Sequence, residues 1–220
     1  MAKTRSYKLL CPIARALDRI GERWTLLILR DLHAGPARFS ELQRGLTGVA
    51  ANLLTERLAK LVKDGLIEQQ STDHGVTVYA LTPLGGRTSD IIFELALFGG
   101  RFPPEADVVE PGNLRTVATT LGAAAHRAAT PDMTFAAVLD VDGQKIHLSV
   151  DAGMVTAGYG DRPDPDLIFK TTYMALLDLT EGKMELPAFQ AHHAEIETDA
   201  PEKAAQFFEL MIRIVDLLQG

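Results

Sequence analysis

The stretch from Phe39 to Tyr79 constrains the fold of this chain more than any other. Ser40, with Gln43 three residues on, has capping-box spacing and predicts a helix start there. The run Gly45-Leu46-Thr47-Gly48 interrupts that helix. Periodicity resumes over 51–64, with Leu54, Leu58, Leu61 and Val62 on one stripe and Gly65 as the stop signal. Residues 66–70 and 76–81 are β-prone, and Thr72-Asp73-His74-Gly75 between them has turn chemistry, so a hairpin follows. Helix, turn, longer helix and hairpin make a helix-turn-helix with a wing.

The flanks extend this unit. Basic Lys3, Arg5 and Lys8 form a short arm suited to phosphates and lead into Cys11-Pro12, with a helix predicted over 13–20. A second helix is predicted over 22–32, where Trp24, Leu26, Leu27, Ile28, Leu29 and Leu32 almost encircle the axis. One side should meet the core and another a partner chain. Thr82-Pro83 opens a single helix to about Phe98, with Leu84, Ile91, Ile92, Leu95 and Phe98 on its apolar face, placed to pair with its own copy.

Charge divides the chain. The whole carries −7, but residues 1–100 hold 13 Lys and Arg against 10 Asp and Glu, whereas 101–220 hold 9 against 19. The two halves should therefore meet different partners. Cys11 stands alone, so no internal disulfide can form and a reducing compartment is expected. The first residues lack the apolar core of a signal peptide, and no apolar run approaches the roughly 20 residues of a membrane span. A soluble cytoplasmic protein without a membrane partner is the expectation.

Gly99 to Gly112 accumulates Gly and Pro, and predicts a linker over 100–112 between domains 1–99 and 113–220. Beyond it, a helix is predicted over 114–129, strands over 133–140, 144–151 and 154–159 joined by turns at Asp142-Gly143 and Ala152-Gly153, and a fourth strand over 167–170. A helix over 173–181, a fifth strand over 194–198 and a terminal helix from Pro201 complete it. The fold class is α+β in two domains, the second stacking helices on a mainly antiparallel sheet of about five strands.

Opposite the leucine stripe of the second motif helix lie Asn52, Glu56, Ala59, Lys60 and Lys63, with Thr55 and Arg57 at its borders. Their chemistry suits a major groove: Asn reads adenine, Glu accepts from cytosine, Ala touches a thymine methyl and Lys or Arg meets guanine. Arg38, Ser40, Arg44, Arg57 and His74 complete the candidate DNA contacts, the arginines being suited to phosphates. The bland alternative is a solvated helix face.

Cys11-Pro12-Ile13-Ala14-Arg15, Ile20-Gly21-Glu22-Arg23-Trp24-Thr25-Leu26-Leu27, Gly35-Pro36-Ala37-Arg38-Phe39-Ser40-Glu41-Leu42, Leu53-Leu54-Thr55-Glu56-Arg57-Leu58, Asp64-Gly65-Leu66-Ile67 and Tyr79-Ala80-Leu81-Thr82-Pro83-Leu84-Gly85 together resemble the HxlR family of MarR-related transcription regulators. The resemblance spans about residues 9–98. It implies a winged helix that dimerises through its first and last helices on a duplex DNA operator of approximate two-fold symmetry. This chain departs from the family at Ala50-Ala51, where Ser-Pro is usual, losing an N-cap worth about 1 kcal/mol. Its wing also carries His74 where arginine is common. The family's Cys-Pro motif makes Cys11 a candidate redox thiol, although a free cysteine is ordinarily buried like a small hydrophobe.

Residues 113–220 resemble a sterol carrier protein 2-like domain, through the order of elements, Asp164-Pro165-Asp166-Leu167-Ile168-Phe169 and the helix ending Glu181-Gly182-Lys183. That implies an apolar cavity for a hydrophobic small-molecule effector. Phe135, Met154, Phe169, Tyr173, Phe207 and Met211, with Met174, Phe189 and Phe208, are the candidate lining residues. His192, His193, Glu195 and Glu197 invite a metal reading, but a solvated polar edge explains them as well, and no metal or cofactor is expected. No Ser-His-Asp spacing, phosphate loop or Cys cluster points to an enzyme. Three alternatives stay open: a second domain that serves only as a dimerisation or protein-interaction platform, a hydrolase or ligand-modifying enzyme with a polar cluster inside the cavity, and redox control through Cys11.

Overall fold

The computed structural model describes residues 6–72, 74–102 and 113–219. The chain divides into two compact units, residues 1–92 and 93–220. The division falls ahead of the stretch where composition predicts a linker, of which residues 103–112 lie outside the described residues.

In the first unit, α1 (Pro12–Ile20), α2 (Thr25–His33), α3 (Phe39–Gly45) and α4 (Ala51–Lys63) precede β1 (Ile67–Ser71), β2 (Thr77–Leu81) and the single turn α5 (Pro83–Gly86). Helix α2 starts later than the expected Glu22, because Trp24 takes a left-handed φ of 77° that a continuing helix cannot contain. Ser40 is not the cap of α3. The cap is Arg38, whose backbone N–H donates to the Glu41 carboxylate at 2.7 Å, and Ser40 lies exposed in the first turn.

Ile28, Leu29 and Leu32 of α2, Leu42 of α3, Leu46 of the turn and Leu54, Leu58 and Leu61 of α4 form one core, each at most 2% exposed. Burying each such side chain stabilises the unit by roughly 1.5–3 kcal/mol. Val62, expected on the same stripe, falls at its edge and is 40% exposed. β1 and β2 pair antiparallel from Ile67–Leu81 to Ser71–Thr77, and Gly75 takes the positive φ of 71° that the turn needs. Ala37 and Tyr79 exchange backbone hydrogen bonds of 3.0 and 2.8 Å, which fasten the α2–α3 connection to the wing.

The single helix expected from Pro83 to Phe98 is broken into α5 and α6 (Ser89–Gly99). Thr82 caps α5 by accepting from the Gly85 N–H at 3.1 Å. Gly85 then passes so close to β1 that a Cβ there would lie 1.9 Å from the Leu66 carbonyl oxygen. Thr88 sits in the break, its hydroxyl donating to the Gly85 carbonyl at 2.7 Å. His33 Nε2 lies 2.9 Å from the same hydroxyl, whose proton is committed, so the imidazole is the donor.

The second unit begins within α6 and continues with α7 (Leu114–Ala128), β3 (Phe135–Val141), β4 (Gln144–Asp151), β5 (Met154–Tyr159), β6 (Leu167–Thr171), α8 (Tyr173–Thr180), α9 (Leu186–His192), β7 (Glu195–Thr198) and α10 (Pro201–Gln219). The sheet order is β5-β4-β3-β6-β7, antiparallel except for the central β3–β6 pair. Asp142-Gly143 and Ala152-Gly153 all take positive φ in two-residue turns, which sets the register of β3 on β4 and of β4 on β5. Phe135, Ala137, Leu139 and Val141 alternate onto one face with Ile146, Leu148 and Val150 opposite them. Helices cover that face: Phe207 of α10 meets Phe135 edge-on at 5.9 Å, and Phe189 of α9 stacks on Phe169 of β6 at 6.1 Å. Helix α9 is absent from the sequence-based expectation, because its seven residues offer little apolar repeat and only Phe189 is buried.

Two predictions test these packing arguments. Gly85→Ala should lower unfolding stability by about 2 kcal/mol or more, whereas Gly86→Ala, with nothing within 4 Å of its Cβ position, should change it by less than about 1 kcal/mol; denaturant melts check both. Burial holds the His33 pKa below its ordinary 6.5. Above that value the imidazole is neutral in both states. Below it the unfolded chain takes up the proton first, so stability falls as pH drops. Between pH 7 and 5.5 the thermal midpoint of the wild type should fall further than that of His33→Gln.

Candidate functional site

With its leucine ridge buried, α4 projects Ala51, Asn52, Thr55, Glu56, Ala59 and Lys63, all exposed. Its N-cap Ala50 provides no side-chain acceptor, so the first turn lacks the usual cap. Thr55 spends its hydroxyl proton on the Ala51 carbonyl at 2.9 Å, which leaves the oxygen's acceptor side for other partners. Arg38 and Arg44 are exposed at the two ends of α3, and His74 at the tip of the wing. Along the wing Gln70 donates to Glu68 at 2.8 Å and Gln69 to the Tyr79 hydroxyl at 3.2 Å.

Two residues expected at the groove are otherwise engaged. Arg57 is only 13% exposed and pairs with Glu22 at 2.8 Å and Glu56 at 3.1 Å. Lys60 donates to the Asp18 carbonyl at 2.8 Å. With the Arg19–Asp64 pair at 2.9 Å, these bonds fasten α4 to α1 and to the turn after it. Asp18 also ties down the start of the described chain: its carboxylate accepts from the Tyr7 N–H at 3.0 Å and the Ser6 hydroxyl at 2.8 Å. Those bonds, the backbone one foremost, hold its pKa below the ordinary 3.8. Asp18, Glu22 and Asp64 have no periodicity that marks them as partners of α4. Lys3 and Arg5 lie outside the described residues. Cys11, against the expectation of burial, is exposed at the N-cap of α1.

The second unit holds a half-open apolar pocket of about 250 Å³ between the sheet and α7, α8, α9 and α10. Phe169, Tyr173 and Met211 are in its wall, with Phe189 and Phe208. Phe135 and Phe207 do not. They are buried against each other, because their side chains fill the junction of β3 and α10. Met154, at the start of edge strand β5, is 71% exposed, and Met174 is 57% exposed on the outer side of α8. The aliphatic share of the wall, above all Leu176 and Leu177 of α8 and Leu218 of α10, is not among the residues expected from the sequence. An amphipathic repeat marks them as buried but does not separate cavity from packed core.

Among the described residues no group of three or more His, Cys, Asp or Glu is placed to hold a metal. Glu197 instead pairs with Lys170, and His193, which follows α9 rather than lying on a strand, stacks on Phe189 at 6.5 Å. Among the described residues no helix is long and apolar enough to cross a membrane.

The sequence profile described as HxlR-like helix-turn-helix matches residues 19–107. An uncharacterised HTH-type transcriptional regulator of Mycobacterium tuberculosis is 38% identical over 97 residues, which are 43% of this chain and 61% of that protein. The chain thus spans about three fifths of the length of this relative. The HTH-type regulator YtfH of Escherichia coli is 36% identical over 90 residues, 39% of this chain and 70% of YtfH. Among solved structures, quinone-bound YodB of Bacillus subtilis is similar at 29% identity and a TM-score of 0.38, over 42% of this chain and 100% of that one.

The two classes of α4 residue should separate in a denaturant melt. Arg57→Ala should cost about 1–3 kcal/mol, because it leaves the fastening to Glu22 unmade and opens a hole beside it. Asn52→Ala, on the exposed face, should stay within about 0.5 kcal/mol of wild type.

Proposed function

The chain belongs to the HxlR-like helix-turn-helix family, and from that premise we propose that it is a DNA-binding transcriptional regulator acting as a homodimer on a pseudo-palindromic operator, modulated by a hydrophobic small molecule held in its second domain. The observation that carries the DNA reading is the exposed face of α4, set on a buried leucine ridge beside two exposed arginines and a wing. Asn52, Thr55 and Glu56 read base edges, while Arg38, Arg44 and His74 position the phosphates, with Ser40 at the start of α3 beside them. Lys60 and Arg57 act through the placement of α4.

Unpaired apolar surface supports the dimer. Leu10, Ile13 and Leu17 at α1 are 96, 71 and 42% exposed, and Ile91, Leu95 and Phe98 along α6 are 43, 47 and 62% exposed at helical spacing. Single exposed leucines are ordinary, whereas contiguous stripes of them belong in an interface. The half-open apolar pocket of the second unit supports an effector site of the kind its resemblance to a sterol carrier protein 2-like domain implies, and argues against a mere docking platform. Control then requires that the effector bind the DNA-competent and incompetent states with different affinity. The exposed thiol of Cys11 supports redox control as a second input.

The DNA reading is tested by selecting a duplex from a random pool and measuring binding by fluorescence anisotropy at several salt concentrations. Asn52→Ala should cost about 1–3 kcal/mol and relax the preference at one position of each half-site. Arg44→Ala should weaken binding on all sequences and lower the salt slope by about 1 for each phosphate no longer neutralised. Variants that bind like wild type would remove α3 and α4 from the interface.

A further inference from the structure

The wall of the cavity in the second unit is unusual in what it lacks. Its described lining holds aliphatic and aromatic side chains, the hydroxyls of Thr116, Thr120, Tyr173 and Thr180 and the amide of Gln190, but no Lys, Arg, His, Asp or Glu. One of those hydroxyls is already spent, since Thr180 donates to the carbonyls of Leu176 and Leu177 at 3.0 and 3.1 Å. Gln190 is exposed and so stands at the rim. An ionised ligand head drawn past the rim would find no countercharge in the wall itself, since Arg101 and Glu181 belong to the adjoining polar pocket that shares Thr120 and Thr180 with it, and an unpaired charge out of water is strongly disfavoured. The surrounding half of the chain adds to this, because its 9 Lys and Arg against 19 Asp and Glu repel anions at longer range.

Resting on the reading of this cavity as an effector site, we infer that it selects uncharged, mainly aliphatic molecules bearing a single hydroxyl or carbonyl, and discriminates against carboxylate amphiphiles of the same chain length. A volume of about 250 Å³ sits below the roughly 300–1,000 Å³ of pockets for drug-sized ligands. The preferred occupant is therefore compact, of the size of a medium-chain alcohol, ester or ketone. Its aliphatic part fills the space between Leu139, Phe169 and Met211, and a threonine hydroxyl meets its one polar group.

The test uses the full-length protein and the neutral fluorescent probe N-phenyl-1-naphthylamine, displaced at pH 8 by 1-decanol or by decanoate. Met211→Trp, shown to be folded by circular dichroism, serves as the filled-cavity control. Probe binding that is absent from the wild type, or equal in Met211→Trp, would sink the effector-site reading itself. Given probe binding that the control abolishes, decanol should displace at concentrations at least tenfold below those of decanoate. Decanoate displacing at concentrations equal to or lower than decanol's would overturn the selectivity while leaving the effector site standing. Thr120→Lys places a cation on the wall and should shift the preference toward decanoate. A folded Thr120→Lys protein that retains the wild-type ratio would also count against the inference.

Discussion

The contact between the leucine ridge of α4 and the core built by α2 and α3 fixes everything the first unit presents to a partner. Leu54, Leu58 and Leu61 lie one helical turn or so apart and are buried, so the side of α4 that carries Asn52, Thr55, Glu56 and Ala59 has only one direction left. A ridge of leucines alone permits some rotation and sliding. The bonds from Lys60 to the Asp18 carbonyl, from Arg57 to Glu22 and from Arg19 to Asp64 remove that freedom, because each reaches α4 from α1 or the turn that follows it. Two cations that a helical wheel assigns to DNA are thereby committed to the protein. Among the described residues of α3, its cap and α4, the exposed cations are Arg38, Arg44 and Lys63, and α4 also exposes the carboxylate of Glu56. Phosphate attraction from so few charges is weak for one copy. This is why the proposed function depends on two copies acting together.

The second unit is organised by a different constraint. Its sheet is covered on one face by helices, and α7 approaches β5 so closely that a Cβ on Gly122 would lie 2.9 Å from that of Ala157. Over the β3–β6 part of the sheet, Phe207 of α10 packs against Phe135 and Phe169. With α7 and α10 seated in this way, α8 and α9 roof the remaining space, and the cavity is the volume their leucines and Phe189 do not fill. Ligand sites are typically concave and mostly apolar with a few polar groups. A half-open apolar pocket with a handful of hydroxyls in its wall is the physical ground for treating it as a binding site.

Much of this was legible in the residues, because strong periodicity and turn chemistry survive in any context. The leucine stripe located α4 to within a residue, and Asp142-Gly143 and Ala152-Gly153 located two turns whose positive φ values the structure contains. The errors arose where long-range contact overrides local preference. Ser40 had a cap's chemistry, but the bridge between Ala37 and Tyr79 brings the chain into α3 earlier. Pro83 to Phe98 had one helix's periodicity, but the approach of Gly85 to Leu66 breaks it. The candidate site followed the same rule. Exposure of Asn52 and Arg44 was readable from helical phase, whereas the engagement of Lys60 with Asp18, 42 residues away, was not. Aromatic residues were a poor guide to the cavity, since a buried phenylalanine looks the same in sequence whether it lines a pocket, as Phe169 does, or packs into solid core, as Phe207 does.

Paired copies of α4 entering successive major grooves should leave a clear mark in hydroxyl-radical and methylation footprinting on a selected operator. Two protected major-groove patches related by two-fold symmetry are expected, with centres one helical turn or a multiple of about 10–10.5 base pairs apart. A single asymmetric patch, or protection confined to the backbone with guanine N7 in the major groove left reactive, would contradict this arrangement.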